Sequence, residues 1–324
     1  MLKLILSLIT CNLILFYFYS VALEFEKISK FKISEIGKII VGYSIFIIFS
    51  YYIYFSLNLN IFIINLFLII LFIFSFKNLK KYRNFFFSKK NIILNLIIII
   101  ILLPALVYGE QFIIFRGNYW DSSSYLISGL LFKNYSYSDV LNENFLLIYN
   151  EFDNLKRITT TRPLTHYLLS FFLNLKLNIF YAYYLFKCFI SLIIFLSLNK
   201  LIKKYFNLSS NNIFLLSFIF IFSFWNIYIF EIDALSHYAS IPILIYLINL
   251  FFALNEKEKL KENYLLISII SAALFIIYPE IFILPVIIYF VIFTSKLGSM
   301  SKKEIKYSLF SGVIFLIITL PTLT

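Results

Sequence analysis

Charged side chains are scarce. They make up 14% of the 324 residues, against about a quarter in soluble domains. Histidine and cysteine are scarcer still, at two residues each. Cys11 and Cys188 both fall in apolar segments, which argues against a disulfide framework and against a pair of thiol ligands. His166 and His237 stand far apart and form no metal motif, so the sequence leaves metal dependence open. No internal repeat is visible, and no polar stretch of domain length flanks the apolar segments. The net charge of +12 does not point to nucleic acid. It sits in short loops, where lysine and arginine set membrane orientation.

What the sequence has in excess is apolar residues: 62% hydrophobic, with a mean hydropathy of +0.92. On this scale the solvent is lipid. The expected fold is an all-α integral membrane protein of about ten transmembrane helices with one long external loop containing short juxtamembrane helices. A span needs roughly 20 apolar residues, fewer where the bilayer thins. The candidates are 4–23, 39–57, 61–76, 91–109, 178–199, 213–230, 239–254, 264–279, 281–295 and 307–321. The chain thus divides into four helices in 1–109, an external loop in 110–177, and six helices in 178–324. The pair 264–279 and 281–295 meets at Tyr278-Pro279-Glu280, read as a tight turn. The ending at Pro321-Thr322-Leu323-Thr324 is expected of an incomplete chain or a fragment of a longer enzyme.

Basic residues fix the sidedness. The segments 24–38, 77–90, 199–212, 255–263 and 296–306 are lysine- and arginine-rich. If the spans alternate, all five lie on one side, the cytoplasmic one. The connections 58–60 and 231–238 hold neither residue. The amino terminus and loop 110–177 are then outside a plasma or inner membrane. Ser20-Val21-Ala22 resembles a signal cleavage site. Cleavage would place the basic segment 24–38 outside, so an uncleaved first helix is expected.

The loop breaks the apolar pattern and carries Glu110, Asp121, Asp139, Glu143, Glu151 and Asp153; Glu231, Asp233 and Glu280 stand at outer helix ends. Acids so near hydrocarbon are costly unless solvated or paired. Most need only the bland explanation that outer loops are polar. Three patterns ask for more. Tyr119-Trp120-Asp121-Ser122-Ser123-Ser124-Tyr125-Leu126 reads as a helix start with Asp121 as its cap, or as a carboxylate held at the lipid boundary. Arg162-Pro163-Leu164-Thr165-His166-Tyr167 starts a second helix, since proline suits the first helical position. That helix, to about Leu177, is expected to lie along the outer surface with Thr165 and His166 on its polar edge. Arg162 suits a phosphate, because guanidinium donors match phosphate oxygens. Lys187 lies about nine residues inside a span, and a lone membrane lysine is more often functional or paired than decorative.

At these residues the chain resembles the GT-C superfamily of polytopic glycosyltransferases, which includes the aminoarabinose transferases and protein mannosyltransferases. The resemblance lies in order and spacing over about 91–205: Asp121 with Tyr125 in the first large external loop, then Arg162-Pro163-Leu164-Thr165-His166-Tyr167-Leu168-Leu169, then Lys187 and the basic Lys200-Leu201-Ile202-Lys203-Lys204. Tyr278-Pro279-Glu280 adds weaker support. Three spans precede the loop-bearing helix, where one is usual in the family.

The resemblance implies transfer of a sugar from a polyprenyl-phosphate carrier to a hydroxyl or amine acceptor, with inversion. Asp121 is then the candidate base, because the acceptor proton must leave as the bond forms. Arg162, His166 and Lys187 are candidates to hold the departing phosphate. Tyr125 joins the substrate-binding set, and Glu280, Asp233 and His237 are candidates for sugar hydroxyls or a divalent cation. Partners are the bilayer, the lipid-linked donor and an acceptor; nucleic acid is not among them. A surface-polysaccharide polymerase or ligase would work mainly through external arginines, and only Arg116, Arg157 and Arg162 lie outside. A transporter or flippase would show broken helices and often a two-fold repeat.

Overall fold

The structure is a computed structural model. It describes residues 2–59, 69–70, 73, 75–86, 89–108, 120–141, 163–174, 179–223, 234–254 and 260–322. Among them every regular element is helical.

Leu2–Ser29 form α1 and Glu35–Tyr51 form α2. Lys30 ends α1 by turning into the left-handed region, at φ 61°, a common way for a helix to close. Ser34 restarts the chain by accepting the Gly37 N–H at 3.2 Å, a side-chain cap for an orphan donor. Where α1 and α2 cross, a Cβ on Gly42 would overlap the Phe18 carbonyl. Glycine there lets two backbones touch, as membrane helices do where small residues face each other.

The later helices are α3 (Leu79–Phe86), α4 (Lys89–Tyr108), α5 (Trp120–Asn134), α6 (Tyr137–Leu141), α7 (Pro163–Leu173) and α8 (Ile179–Tyr205). Then follow α9 (Ser210–Ile221), α10 (Leu235–Ala253), α11 (Leu260–Ile277), α12 (Ile283–Lys296) and α13 (Lys302–Thr319).

Among the described residues, seven stretches are long and apolar enough to cross a membrane: Leu4–Ser29, Glu35–Phe55, Tyr181–Tyr205, Leu235–Ala253, Leu260–Ile277, Pro279–Ser299 and Lys302–Thr322. They match seven of the ten expected spans and are compatible with a multi-pass membrane protein. Of the other three, 91–109 corresponds to α4, 213–230 is described only to Ser223, and 61–76 lies mostly outside the described residues. The expected turn at Tyr278-Pro279-Glu280 is present: α11 stops at Ile277 and a short 3₁₀ turn, Pro279–Phe282, leads into α12.

The basic segments gather at one end of the bundle. Glu24 accepts from Lys27 at 2.8 Å and from Asn78 at 3.0 Å, with Lys77 at 3.4 Å. Lys38 pairs with Glu35 at 2.7 Å and Glu26 at 3.5 Å. Lys200 donates to the Tyr246 hydroxyl at 2.9 Å, and Tyr246 in turn sits against Gly37. Lys261 lies over the Phe31 ring, and Lys296 donates to the Leu254 carbonyl at 3.0 Å. The opposite end joins the far ends of α2, α5 and α13. Tyr52 donates to the Ile318 carbonyl at 2.8 Å, Tyr54 to the Tyr135 carbonyl at 3.1 Å, and Asn58 to the Ser138 hydroxyl at 2.6 Å.

α8 is the central helix. Every residue from Tyr181 to Asn199 is buried, with α2, α4, α7, α9 and α10 around it. A helix buried on all sides needs no polar stripe, and α8 shows none. α7 departs from its expected position. Leu164, Thr165, Tyr167, Leu168, Leu169, Ser170, Phe172 and Leu173 are all buried, between α5 above and α2, α8 and α10 below. Its sequence is apolar nearly all round, so no single face could rest on a membrane surface. Lys133 of α5 donates to the Leu173 carbonyl at 3.1 Å, a cation on the last turn of α7 where the helix dipole favours it.

Candidate functional site

The first turn of α10 is where the sequence-distant candidates meet. Successive residues of a helix point about 100° apart, so Ser236, His237 and Tyr238 reach three different neighbours. Ser236 faces α5 and α7. Its hydroxyl donates to Thr165 Oγ1 at 3.0 Å and lies 3.4 Å from the Tyr125 hydroxyl. His237 faces the turn between α11 and α12, with Nε2 2.8 Å from the Tyr278 hydroxyl and the two rings 4.3 Å apart. Tyr238 faces α8, its hydroxyl 2.6 Å from Ser191 Oγ. Ser191 also donates to the Lys187 carbonyl at 3.0 Å.

Burial gives these contacts their weight. Tyr125, Thr165, Ser191, Ser236, Tyr238 and Tyr278 are all buried. A buried hydroxyl without a partner costs about 1–3 kcal/mol, and here each has one. The network joins α5, α7, α8, α10 and the α11–α12 turn at the end of the bundle opposite the basic segments. It also brings the amino-terminal turns of α7 and α10 together, since Thr165 and Ser236 lie in those turns. Helix amino termini carry orphan N–H donors and the positive end of the helix dipole.

The candidates from the sequence fall into three groups. Tyr125 and His237 belong to this network directly. Lys187 flanks it: the side chain is 97% buried in α8, and its ammonium lies 5.5 Å from the centre of the Tyr183 ring, one turn nearer the helix start. Asp121, His166 and Glu280 are placed by their backbone positions. Asp121 is in the first turn of α5, four residues before Tyr125; the helix begins at Trp120, so Asp121 lies inside it rather than capping it. His166 follows Thr165 in α7. Glu280 is exposed in the turn after Tyr278. Arg162 and Asp233 lie outside the described residues, although Pro163 does open α7 as expected.

The sequence did not single out Ser191, Ser236 or Tyr238. Ser236-His237-Tyr238 at the opening of an apolar run was the available signal. A lone hydroxyl inside a span such as Ser191 gives none, because serine is tolerated in membrane helices wherever it bonds its own backbone. Both cysteines are free and buried. Among the described residues no three His, Cys, Asp or Glu side chains come together to hold a metal ion. Of the set proposed for a divalent cation, Glu280 and His237 are the two described members.

Outside this network a carboxylate also holds the start of α6. Ser136 caps it, and its hydroxyl and backbone N–H both donate to Asp139, at 2.5 and 3.1 Å. These bonds hold the Asp139 carboxyl below its ordinary range. The site's geometry has no counterpart to lean on: no family model, no curated protein and no solved structure matches this chain.

Proposed function

We propose that the protein is a membrane glycosyltransferase that moves a sugar from a polyprenyl-phosphate carrier to an acceptor at the outer membrane face. One observation carries this reading: the segments 121–125, 163–166, 187–191 and 236–238 converge at one end of the bundle, through Tyr125, Thr165, Ser191, Ser236 and Tyr238. The basic segments occupy the other end, which the charge rule assigns to the cytoplasm. The convergent end is then external, where a lipid-linked donor and an acceptor can both arrive.

The chemistry follows from that placement. The acceptor oxygen or nitrogen forms a bond to the anomeric carbon while the bond from that carbon to the phosphate oxygen breaks. The electron pair leaves with the phosphate, and the acceptor proton passes to Asp121. Asp121 stands one helical turn from Tyr125, about 6 Å along the axis. Phosphate charge falls to Arg162, His166 and Lys187, assisted by the first turns of α7 and α10, which suit an anion. Glu280 and His237 flank the sugar.

A transport reading draws on a different feature. Lys187 is a charged residue buried in the central helix, which is expected in a substrate or ion pathway. One experiment separates the two. Membranes containing the full chain are incubated with radiolabelled polyprenyl-phosphate sugars, and wild type is compared with Asp121→Asn at equal expression. Donor consumption lost in the variant supports the transferase. Consumption that survives keeps the enzyme class and moves the base to Glu280 or Asp233. No consumption with any donor sinks the transferase in favour of transport.

A further inference from the structure

A crevice of about 150 Å³ opens between α11, α12 and α13. We infer that it seats one acyl chain of a bilayer phospholipid. Four observations carry this. The first is shape. The lining runs from Phe282 to Tyr289 on α12 and from Ser308 to Phe315 on α13, about 10 Å at the usual rise. Its volume is far below the roughly 300–1,000 Å³ of a pocket for a compact ligand. A narrow slot lying along the helices fits a chain. Aromatic rings mark its ends: Phe282 stacks on Phe315 at 5.1 Å, and Phe251 meets Tyr289 at 5.5 Å.

The second is polarity. Four of the five hydroxyls in the wall bond one another, Ser271 being the fifth. Ser268 and Ser311 are 2.8 Å apart, Ser311 also donates to the Tyr264 carbonyl at 2.9 Å, and Tyr289 and Ser308 are 2.5 Å apart. A trapped water needs two to four polar partners, and outside these pairs the wall offers the single hydroxyl of Ser271. The third is position. The two outer walls belong to the barest spans, of which 6% and 11% are buried. Around the mouth the surface is apolar, with Ile287, Phe290, Leu309 and Ile317 exposed, so hydrocarbon is the medium the slot opens into. The fourth is space. A Cβ on Gly312, in the lining, would meet nothing within 4 Å.

The test uses the full chain in bilayer nanodiscs of phosphatidylcholine carrying a photoactivatable diazirine on its acyl chain. After photolysis, adducts are mapped by mass spectrometry. Wild type is expected to carry label on the buried lining residues Ile267 and Pro285 in the slot as well as on Phe290 and Leu309 outside it. Gly312→Leu fills the slot from α13 and Ser271→Leu fills it from α11; each is expected to abolish labelling of Pro285 while labelling of Phe290 and Leu309 persists. Persistence of those outer adducts shows that the variant is folded and inserted. An unlabelled slot in wild type overturns the proposal, as does slot labelling that both plugs leave unchanged. Cross-links between two copies of the chain, from a photoreactive residue placed at Val286, assign the slot to a second copy of the protein and also overturn it.

Discussion

α8 and the pair α12–α13 are built from similar material and end in opposite places. All three are long and apolar enough to cross a membrane, and the α12 span is more apolar than the α8 span. Yet 78% of the α8 span is buried, against 6% and 11% for the other two. In water the most apolar helix would be driven inward. In lipid that drive disappears, and helices associate through close packing and hydrogen bonds. α8 has both. Ser191 bonds Tyr238, Tyr181 bonds Ser7, and Tyr184 donates to the Ile101 carbonyl at 2.7 Å. Its phenylalanines interlock with those of α1 and α7, Phe189 lying 5.7 Å from Phe18 and 5.6 Å from Phe172. α12 offers its neighbours little beyond Pro285, Tyr289 and Lys296, so it stays at the rim.

The contrast can be broken with one substitution made twice. Gly42→Val forces a side chain into the Phe18 backbone, where nothing flexible can yield. The α1–α2 crossing should open, and little folded protein should survive detergent extraction, as judged by size-exclusion chromatography. Gly312→Val meets open space and should leave the elution profile and melting temperature within error of wild type. Equal damage from both would mean that the rim is packed as tightly as the core.

Phenylalanine truncation sharpens the same contrast. Phe189 is 1% exposed and Phe290 is 64% exposed. Phe189→Ala should cost about 3–5 kcal/mol, the usual price of an emptied aromatic site, and should lower the melting temperature by many degrees. Phe290→Ala exchanges a lipid-facing ring for a lipid-facing methyl and should stay within about 0.5 kcal/mol, as surface changes do. Thermal melts of the two variants in one detergent settle the difference.

Much of the bundle was legible in the sequence for the same reason that it is stable. Runs such as Ile283–Lys296 and Ile179–Leu198 are apolar enough to announce a span, and the lysines within 24–38 and 199–212 announce an end. The gathering of all the basic segments at one end of the structure follows from that alternation. What was illegible is which helix stands in the middle, because hydropathy ranks α12 above α8 and so points the wrong way. The position of α7 was misread for a related reason. Thr165 and His166 suggested a polar edge, but Thr165 has a buried partner in Ser236, and a partner 71 residues away in sequence leaves no local trace. At the site, Tyr125, His237 and Lys187 were visible as polar groups in apolar surroundings. The hydroxyls that tie them to one turn were not.

Hydroxyl removal tests that turn with a smaller effect. Ser236→Ala leaves Thr165 buried without the Ser236 hydroxyl and should cost about 1–3 kcal/mol. It should also loosen the amino-terminal turn of α10, read as faster amide exchange at His237 and Tyr238. Ser295→Ala at the rim removes a hydroxyl that is exposed and bonds only its own helix, at the Ile292 carbonyl. No change in melting or exchange is expected there. Faster exchange in the second variant but not the first would reverse the ranking of core and rim.

The smallest effect is a pH dependence confined to α6. Asp139 is exposed, and its carboxyl is held below the ordinary range by the Ser136 hydroxyl and N–H. A depressed folded-state value means that the charged form stabilises the cap. That stabilisation is complete above the ordinary carboxylate range of about 4 and is lost as pH falls through the lower folded value. Amide exchange in Tyr137–Leu141, corrected for the intrinsic pH dependence of exchange, should therefore be steady from neutral pH down to the ordinary range and quicken below it. Asp139→Asn keeps an acceptor without a titrating charge, so its corrected exchange should be pH-independent over the same interval. α8, with no carboxylate in its sequence, serves as the internal reference. Quickening there in step with α6 would mean that acid loosens the whole bundle, and that the Ser136–Asp139 cap is not the group being read.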